Sequence, residues 1–441
     1  MRTFYLRSFG CQMNAHDAER IRALLEAEGL RAVAEPDAAD VLIYNTCTVR
    51  QSADDRLAGH LGDAMRLKRR DPRRVVIVTG CLPQAQRDEI FRRYPHVDGA
   101  LGPQNLHRLT DLLASVDESV GSTEQPPGYF EDGPRLSGEL PSLRERPFQA
   151  WVQIMSGCTN FCSYCIVPHV RGPERSRSIA AIVAEARDLV ADGVREITLL
   201  GQNVNAYGLD LRRGGDAGAP EFPLLLRTLD EIPGLDRLRF MTSHPKDLSD
   251  DLVSALGELP SLCEHVHLPA QAGSDRILAA MKRGYGASEY LAHVRSLREA
   301  VPGVSITTDL IAGFPGETEE DFAATLDLVR QAEFDGAFTF LFSPRSGTAA
   351  AELPGQVPAD VKSERVQRLV ALTQALALAS HERLVGRTTE ILIEGVSRDG
   401  RRLRGRTRQN VTVNAIGAAR AGAIVTVEIT EASSTTLRGR L

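Results

Sequence analysis

The chain has 441 residues, 42% hydrophobic and 25% charged, a balance that excludes a disordered or collagen-like protein. No apolar run reaches the roughly 18 residues of a membrane span, and the first residues lack the apolar core and cleavage site of a signal peptide, so the chain reads as cytoplasmic with no membrane partner. The net charge of −6, taken over the whole length, argues mildly against nucleic acid as a partner.

Four spans follow in chain order. Residues 1–117 carry three similar units. Thr3–Ser8 is a short strand, followed by Cys11 and a helical pattern. Val41–Tyr44 is a second strand, closed by Asn45-Thr46-Cys47. Arg74–Val78 is a third, closed by Thr79-Gly80-Cys81 with a helix from about Gln84. Strands alternating with amphipathic helices predict a doubly wound parallel sheet, whose ligands gather at the carboxyl ends of the strands. The three cysteines are 36 and 34 residues apart, each just past a strand, which places them on one edge of the sheet. A basic run from Arg66 to Arg74 reads as an exposed helix end.

Residues 118–143, rich in Pro, Gly, Ser and Glu, read as a surface linker. Residues 144–376 repeat a strand–helix rhythm six times. The strands fall at Ala150–Met155, Glu196–Leu200, Arg237–Met241, His265–Leu268, Ser305–Ile311 and Ala337–Phe342, and a long helical run begins at Ala359. Six units are too few for an eight-unit barrel and predict a partial, open (β/α)6 barrel. Residues 377–441 alternate in TEILIEGV, NVTVNA and AIVTVEIT, which predicts a small antiparallel β-barrel. From His381 onward there are 11 arginines, no lysine and six acidic residues, a balance of +5 that leaves −11 for the rest. Arg401, Arg402, Arg404, Arg406 and Arg408 suit phosphate neutralisation.

Seven cysteines in a reduced compartment need no disulfides, and an odd number does not pair off. Metal or redox chemistry is the better reading. Cys158-x3-Cys162-x2-Cys165 puts three thiolates within eight residues, on a loop just past the first barrel strand. Zinc held by these three and His169 fits the spacing. An iron–sulfur cluster fits an odd ligand count better, and three ligands on four irons leave one iron open for a substrate. Cys263 stands alone and reads as a packing residue.

Cys158-x3-Cys162-x2-Cys165 on a six-unit barrel resembles the radical S-adenosylmethionine superfamily. The resemblance implies that the open iron chelates the cofactor, whose cleavage yields a 5′-deoxyadenosyl radical. Gly201, Gln202 and Asn203 end the second strand, where that superfamily contacts the cofactor's amino group. Gln271 follows the fourth strand, and Asp309 through Glu317, including Gly313, resembles the glycine motif beside the adenine. Arg171, Glu174 and Arg177 are nominated as further cofactor or substrate contacts. The contexts SFGCQMN, NTCTVR and TGCLPQ resemble the N-terminal domain of the methylthiotransferases, in which Cys11, Cys47 and Cys81 would hold a second [4Fe-4S] cluster. The Arg-rich C-terminal barrel resembles the TRAM domain, an RNA-binding module.

The fold expected is therefore α/β: a doubly wound parallel sheet, a partial radical-SAM barrel and a TRAM-like antiparallel barrel. The Phe9–Asn14, Asn45–Arg50, Leu199–Asn205, Cys165–Pro168 and Arg171–Arg177 stretches resemble the methylthiotransferase branch acting on N6-isopentenyladenosine beside the tRNA anticodon. Ala272, where that branch usually has Ser, is a small departure, as are Thr48 and Pro173. Sister branches act on threonylcarbamoyladenosine or on a ribosomal-protein aspartate. The implied reaction inserts a methylthio group at C2 of the purine, a C–H bond that no side-chain acid or base removes at neutral pH. One S-adenosylmethionine would serve as methyl donor and another as radical source, with no catalytic side chain beyond the cluster-bound cofactors. An anticodon stem-loop, an electron donor and a sulfur source are the implied partners. The alternative outside enzymes is an iron–sulfur or zinc RNA-binding scaffold.

Overall fold

The computed structural model describes residues 2–48, 51–118, 125–131, 136–213 and 221–441. Val49 and Arg50 of the second cysteine motif, and parts of the expected linker, lie outside the described residues. The chain forms two compact units. The first is Met1–Glu145 with Trp151–Thr159 and Cys165–Arg175. The second is Arg146–Ala150, Asn160–Tyr164 and Ser176–Leu441. The expected boundary at 376/377 falls inside the helix Ala359–Glu382.

The first unit is built on a six-stranded sheet of β1 (Thr3–Ser8), β2 (Arg31–Ala32), β3 (Val41–Thr46), β4 (Val75–Gly80), β5 (Gly99–Leu101) and β6 (Gly128–Tyr129), in the order β2-β1-β3-β4-β5-β6. All its pairings are parallel. Such strands are buried on both faces. Leu42, Tyr44, Val76 and Val78 pack with Leu57, Leu61 and Ala64 of the helix Gln51–Arg70. Val41, Ile43, Val75 and Ile77 pack with Ile21 and Leu25 of the helix Gln12–Ala27 and with Leu112 and Val116. The register aligns Ser8 with Asn45, and Asn45 with Thr79. Three adjacent strands therefore end level, and a cysteine follows each. Cys81 opens the short helix Cys81–Gln86 instead of preceding one that starts near Gln84.

The surface-linker expectation is corrected in part. Gly128–Tyr129 is the sixth strand, Phe130 enters the core, and Leu136 and Ser137 are buried. The aromatic pair outweighs the surrounding Pro and Gly: a Cβ at Gly128 would lie 2.5 Å from the Phe130 ring, so the glycine makes room for it.

The barrel strands are β7 (Gln149–Gln153), β8 (Glu196–Leu200), β9 (Arg237–Phe240), β10 (His265–His267), β11 (Ser305–Ala312) and β12 (Gly336–Leu341). They run in sequence order as two three-stranded sheets, which the parallel bridge Leu238–Leu262 joins. This is the six-unit arc, with β7 and β12 at its ends. The helix Ala359–Glu382 lies against β12 and the loop after it, where Lys362 Nζ donates to the Phe342 carbonyl at 3.2 Å.

The chain ends in a closed barrel of β13 (Thr388–Val396), β14 (Leu403–Thr407), β15 (Thr412–Ile416), β16 (Ile424–Ala432) and β17 (Thr436–Arg440). Four neighbour pairs are antiparallel, while β15 and β17 run parallel. A closed ring of five strands cannot alternate direction throughout, so one parallel pair is unavoidable. Within the second unit this module seals the amino-terminal end of the arc. Buried Arg239 donates to the carbonyls of Thr407 and Arg408 at 2.8 and 2.7 Å, and buried Arg237 donates to that of Arg406 at 2.8 Å. Arg408 returns the contact, donating to Glu264 at 2.9 Å and to the Leu262 carbonyl at 2.7 Å. The phosphate role expected of Arg408 is thereby overturned, because its guanidinium is spent inside the protein. Arg406 is engaged too, donating to Glu394 at 3.0 Å.

Candidate functional site

Cys11, Cys47 and Cys81 sit at the corners after β1, β3 and β4, and two glycines let those corners approach. Gly10 has φ +126°, and a Cβ there would lie 2.3 Å from Cys47 Cβ. Gly80 has φ +103°, and a Cβ there would lie 2.2 Å from the Thr46 carbonyl oxygen. Only glycine tolerates either position. A buried amide pair then ties the corners together. Asn14 donates to Asn45 Oδ1 at 3.1 Å and to the Thr46 carbonyl at 3.2 Å, and Asn45 donates back to the Asn14 carbonyl at 2.8 Å. Both asparagines stand in the cysteine motifs, three residues after Cys11 and two before Cys47, but sequence gave them no role.

Exposed Cys11 has its thiol pulled down to about 6, first by a hydrogen bond with Cys47 and further by the charge of Arg171. Cys81 is buried, and burial pushes its thiol up against the pull of Arg171. Arg171 is therefore placed at these cysteines. Its charge acts on the Cys81 thiol, and its Nη2 lies 3.2 Å from Asp17 Oδ2. Asp17 is held in turn by Ser137 Oγ at 2.8 Å and His16 at 3.2 Å. Ile166 and Val170, from the segment just after Cys165, pack on Cys81. Asp17 and Ser137 were not legible as site residues: they lie 154 and 34 positions from Arg171, and Ser137 sits in the expected linker.

The second cysteine set is braced along the chain. Cys158 N–H donates to the Gly172 carbonyl at 3.1 Å, and Thr159 N–H donates to Glu174 Oε1 at 3.3 Å. Gly157 has φ +80°, and a Cβ there would lie 1.9 Å from the Pro173 carbonyl oxygen. Cys162 is buried and accepts from Arg283 Nη1 at 3.4 Å. Arg283, which sequence reasoning missed, also donates to Tyr285 OH and to the Pro269 carbonyl, both at 3.0 Å. Arg171, Glu174 and Arg177 are buried, and they serve different neighbours: Arg177 donates to Glu185 at 2.6 Å.

Of the remaining nominated residues, Gly201, Gln202, Asn203, Gln271 and Gly313 come after barrel strands, and Asp309 lies within β11. Gly201, Gln202 and Asn203 follow β8. Buried Asn203 donates to Asp247 at 2.8 Å, and among the described residues its Oδ1 has no hydrogen-bond partner. Gln271 has φ +68°; its N–H donates to the Asp309 carbonyl and its carbonyl accepts from Ile311, both at 2.8 Å. Asp309 lies 3.5 Å from His267 Nε2. Gly313 has φ +79°, and its N–H donates to Glu317 Oε2 at 2.8 Å.

Three cysteines just past the first strand of a six-strand parallel arc match the pattern of a radical S-adenosylmethionine protein. The comparisons agree. The radical SAM superfamily model matches residues 152–329, the uncharacterized protein family UPF0004 model matches 3–102, and the TRAM domain model matches 382–441. A Carboxydothermus hydrogenoformans protein is 46% identical over 447 residues, covering 100% of this chain and 99% of its own length. A Moorella thermoacetica protein is 45% identical, covering 100% and 98%. Both are named tRNA-2-methylthio-N(6)-dimethylallyladenosine synthase. The fold is like that of the radical S-adenosylmethionine methyltransferase TsrM from Kitasatospora setae, with TM-score 0.57, 16% identity and coverage of 79% of this chain and 77% of that one.

The chain belongs to the tRNA-2-methylthio-N(6)-dimethylallyladenosine synthase family, within the radical S-adenosylmethionine superfamily. It is a radical S-adenosylmethionine enzyme, and that membership implies a [4Fe-4S] cluster and S-adenosylmethionine. Among the described residues no helix is long and apolar enough to cross a membrane.

Proposed function

We propose that the chain inserts a methylthio group at C2 of N6-dimethylallyl (isopentenyl) adenosine beside the anticodon of tRNA. The observation that carries this reading is the whole-length identity of 46% to proteins named for that product, in a chain with both cysteine sets. Cys158, Cys162 and Cys165 would hold the [4Fe-4S] cluster that cleaves S-adenosylmethionine. Cys11, Cys47 and Cys81 would hold a second one. The donor chemistry of each set, three thiolates, suits a cluster with one iron left open, while among the described residues no three His, Cys, Asp or Glu side chains are grouped as ligands of a single metal ion. When bound, these groups supply the radical that breaks an unactivated C–H bond and the anchored sulfur that replaces the hydrogen.

The chain's own residues then position and shield. The Asn203 Oδ1 acceptor suits the amino group of the cofactor. Gln271, Asp309 and Gly313 shape the mouth of the arc beside it, with Gly201 and Gln202 offering main-chain contacts. Glu174 holds the cysteine loop through the Thr159 N–H, and Arg177 stays fixed by Glu185. Arg283 donates to Cys162 and so orients its sulfur. Holding the reacting groups in a fixed geometry is what the protein contributes to such a reaction. The C-terminal module would bind the anticodon stem-loop through exposed cations such as Arg401, and the target base would be splayed out toward the arc. An electron donor and a sulfur source complete the partners, and the cytoplasm is the compartment in which tRNA would be met.

Mass spectrometry of tRNA nucleosides from a strain lacking the gene tests the substrate. Loss of 2-methylthio-N6-isopentenyladenosine supports it. Persistence of that nucleoside, with loss of the threonylcarbamoyl product or of a modified ribosomal-protein aspartate, would assign the chain to a sister reaction.

A further inference from the structure

The buried ion pair beside the N-terminal cysteines is the feature least explained by folding. Arg171 and Asp17 are 5% and 1% exposed, with Nη2 and Oδ2 3.2 Å apart. Removing two charges from water is expensive, and a well-packed apolar pair of similar volume often serves stability as well or better. The geometry nevertheless fixes this pair with care. Asp17 accepts from Ser137 Oγ at 2.8 Å and contacts His16 Nδ1 at 3.2 Å. The Arg171 carbonyl accepts from Gln104 Nε2 at 2.7 Å, so the main chain is held independently of the side chain. The guanidinium charge acts on Cys81, against which Ile166 and Val170, the residue before Arg171, are packed.

Buried Arg20 lies 3.4 Å from its own partner Glu19, and His16 is held neutral by burial at about 4. Among the described residues Arg171 is the cation whose charge acts on both Cys11 and Cys81, with the Asp17 carboxylate at its Nη2. In such low-dielectric surroundings a unit charge a few ångströms away shifts an ionic equilibrium far more than it does in water. A one-electron reduction adds negative charge, which an adjacent cation stabilises.

We propose that Arg171 is a positioning residue of the auxiliary centre, where its buried charge raises the reduction potential of a cluster held by Cys11, Cys47 and Cys81. The proposal rests on the reading that those cysteines hold a cluster. Asp17 sets the strength of the effect by neutralising part of the charge and orienting the guanidinium.

The test uses the full chain carrying Cys158→Ala, Cys162→Ala and Cys165→Ala, so that any reconstituted cluster is the auxiliary one. Iron and sulfide content are measured first. The midpoint potential is then read by dithionite titration followed by electron paramagnetic resonance. Arg171→Gln is expected to move the potential negative, Arg171→Lys to stay near the parent, and Asp17→Asn to move it positive. A general packing defect would move Arg171→Gln and Asp17→Asn in the same direction. Unchanged potential in Arg171→Gln at full iron content would overturn the proposal. If Arg171→Gln assembles no cluster, Asp17→Asn decides: a positive shift supports the proposal, and none or a negative one overturns it. A folded parent that binds no iron would instead overturn the auxiliary-centre reading itself.

Discussion

The main-chain N–H of Cys158 donates to the carbonyl of Gly172 at 3.1 Å. This bond pins the start of the cysteine loop to the stretch Arg171–Glu174. Arg171 faces Cys81 from that stretch, and Glu174 holds the Thr159 N–H. The two cysteine sets therefore share one short segment of chain as support.

Gly157 is the point where that support is tightest. Gly157→Ala would place a Cβ against the Pro173 carbonyl, in a left-handed conformation that costs about 1–2 kcal/mol by itself. The expected result is at least a tenfold loss of reductive S-adenosylmethionine cleavage. Iron bound at Cys11, Cys47 and Cys81 should remain. Iron analysis and a 5′-deoxyadenosine assay read both.

Arg283 is the corresponding support for Cys162. Arg283→Ala removes several hydrogen bonds from a buried cation and should cost about 3 kcal/mol. Thermal unfolding would fall by roughly 5 °C. Arg283→Lys, which keeps the charge but not the fork, should recover only part of it.

The thiols of the cluster-free protein should separate by pH. Cys11 is lowered to about 6, so it is a thiolate above that pH and a thiol below it. Cys81 is raised by burial and stays protonated through neutrality. Only the thiolate is alkylated. Iodoacetamide labelling followed by mass spectrometry should show Cys11 reacting with a midpoint near pH 6, and Cys81 unreactive at pH 7.

The C-terminal arginines should divide into two groups. Arg401 and Arg402 lie toward solvent, whereas Arg408 is spent on Glu264 and the Leu262 carbonyl. Arg401→Ala with Arg402→Ala should weaken tRNA binding and lower the salt slope by about 2. Arg408→Ala should leave that slope unchanged and lower the unfolding temperature, as filter binding across salt and calorimetry would show.

Much of this was legible in the sequence, because strand and helix periods are local. Thr3–Ser8 and Glu196–Leu200 have the bounds that periodicity gave them. The cysteine positions followed from the strand ends, which the parallel register aligns. What was not legible depends on distant pairs. The linker's Gly128–Tyr129 becomes a strand only because the sheet offers it an edge at β5. Arg171 reads as one cation in an RGPERSR run until Asp17 and Ser137 are brought to it. Arg408 reads as a phosphate binder until Glu264 closes on it. The parallel pairing of β15 and β17 follows from strand parity, which no single strand reveals.

The division of labour between the cysteine sets is the central claim, and Cys47→Ala tests it most directly. Cys47 belongs to the corner tied by Asn14 and Asn45, far along the chain from the loop of Cys158, Cys162 and Cys165. The purified variant, reconstituted anaerobically with substrate RNA and reductant, is assayed for both 5′-deoxyadenosine and methylthiolated nucleoside. Retained 5′-deoxyadenosine with no methylthiolated product is the result expected. Loss of both products, or methylthiolation at the parent's level, would contradict the account.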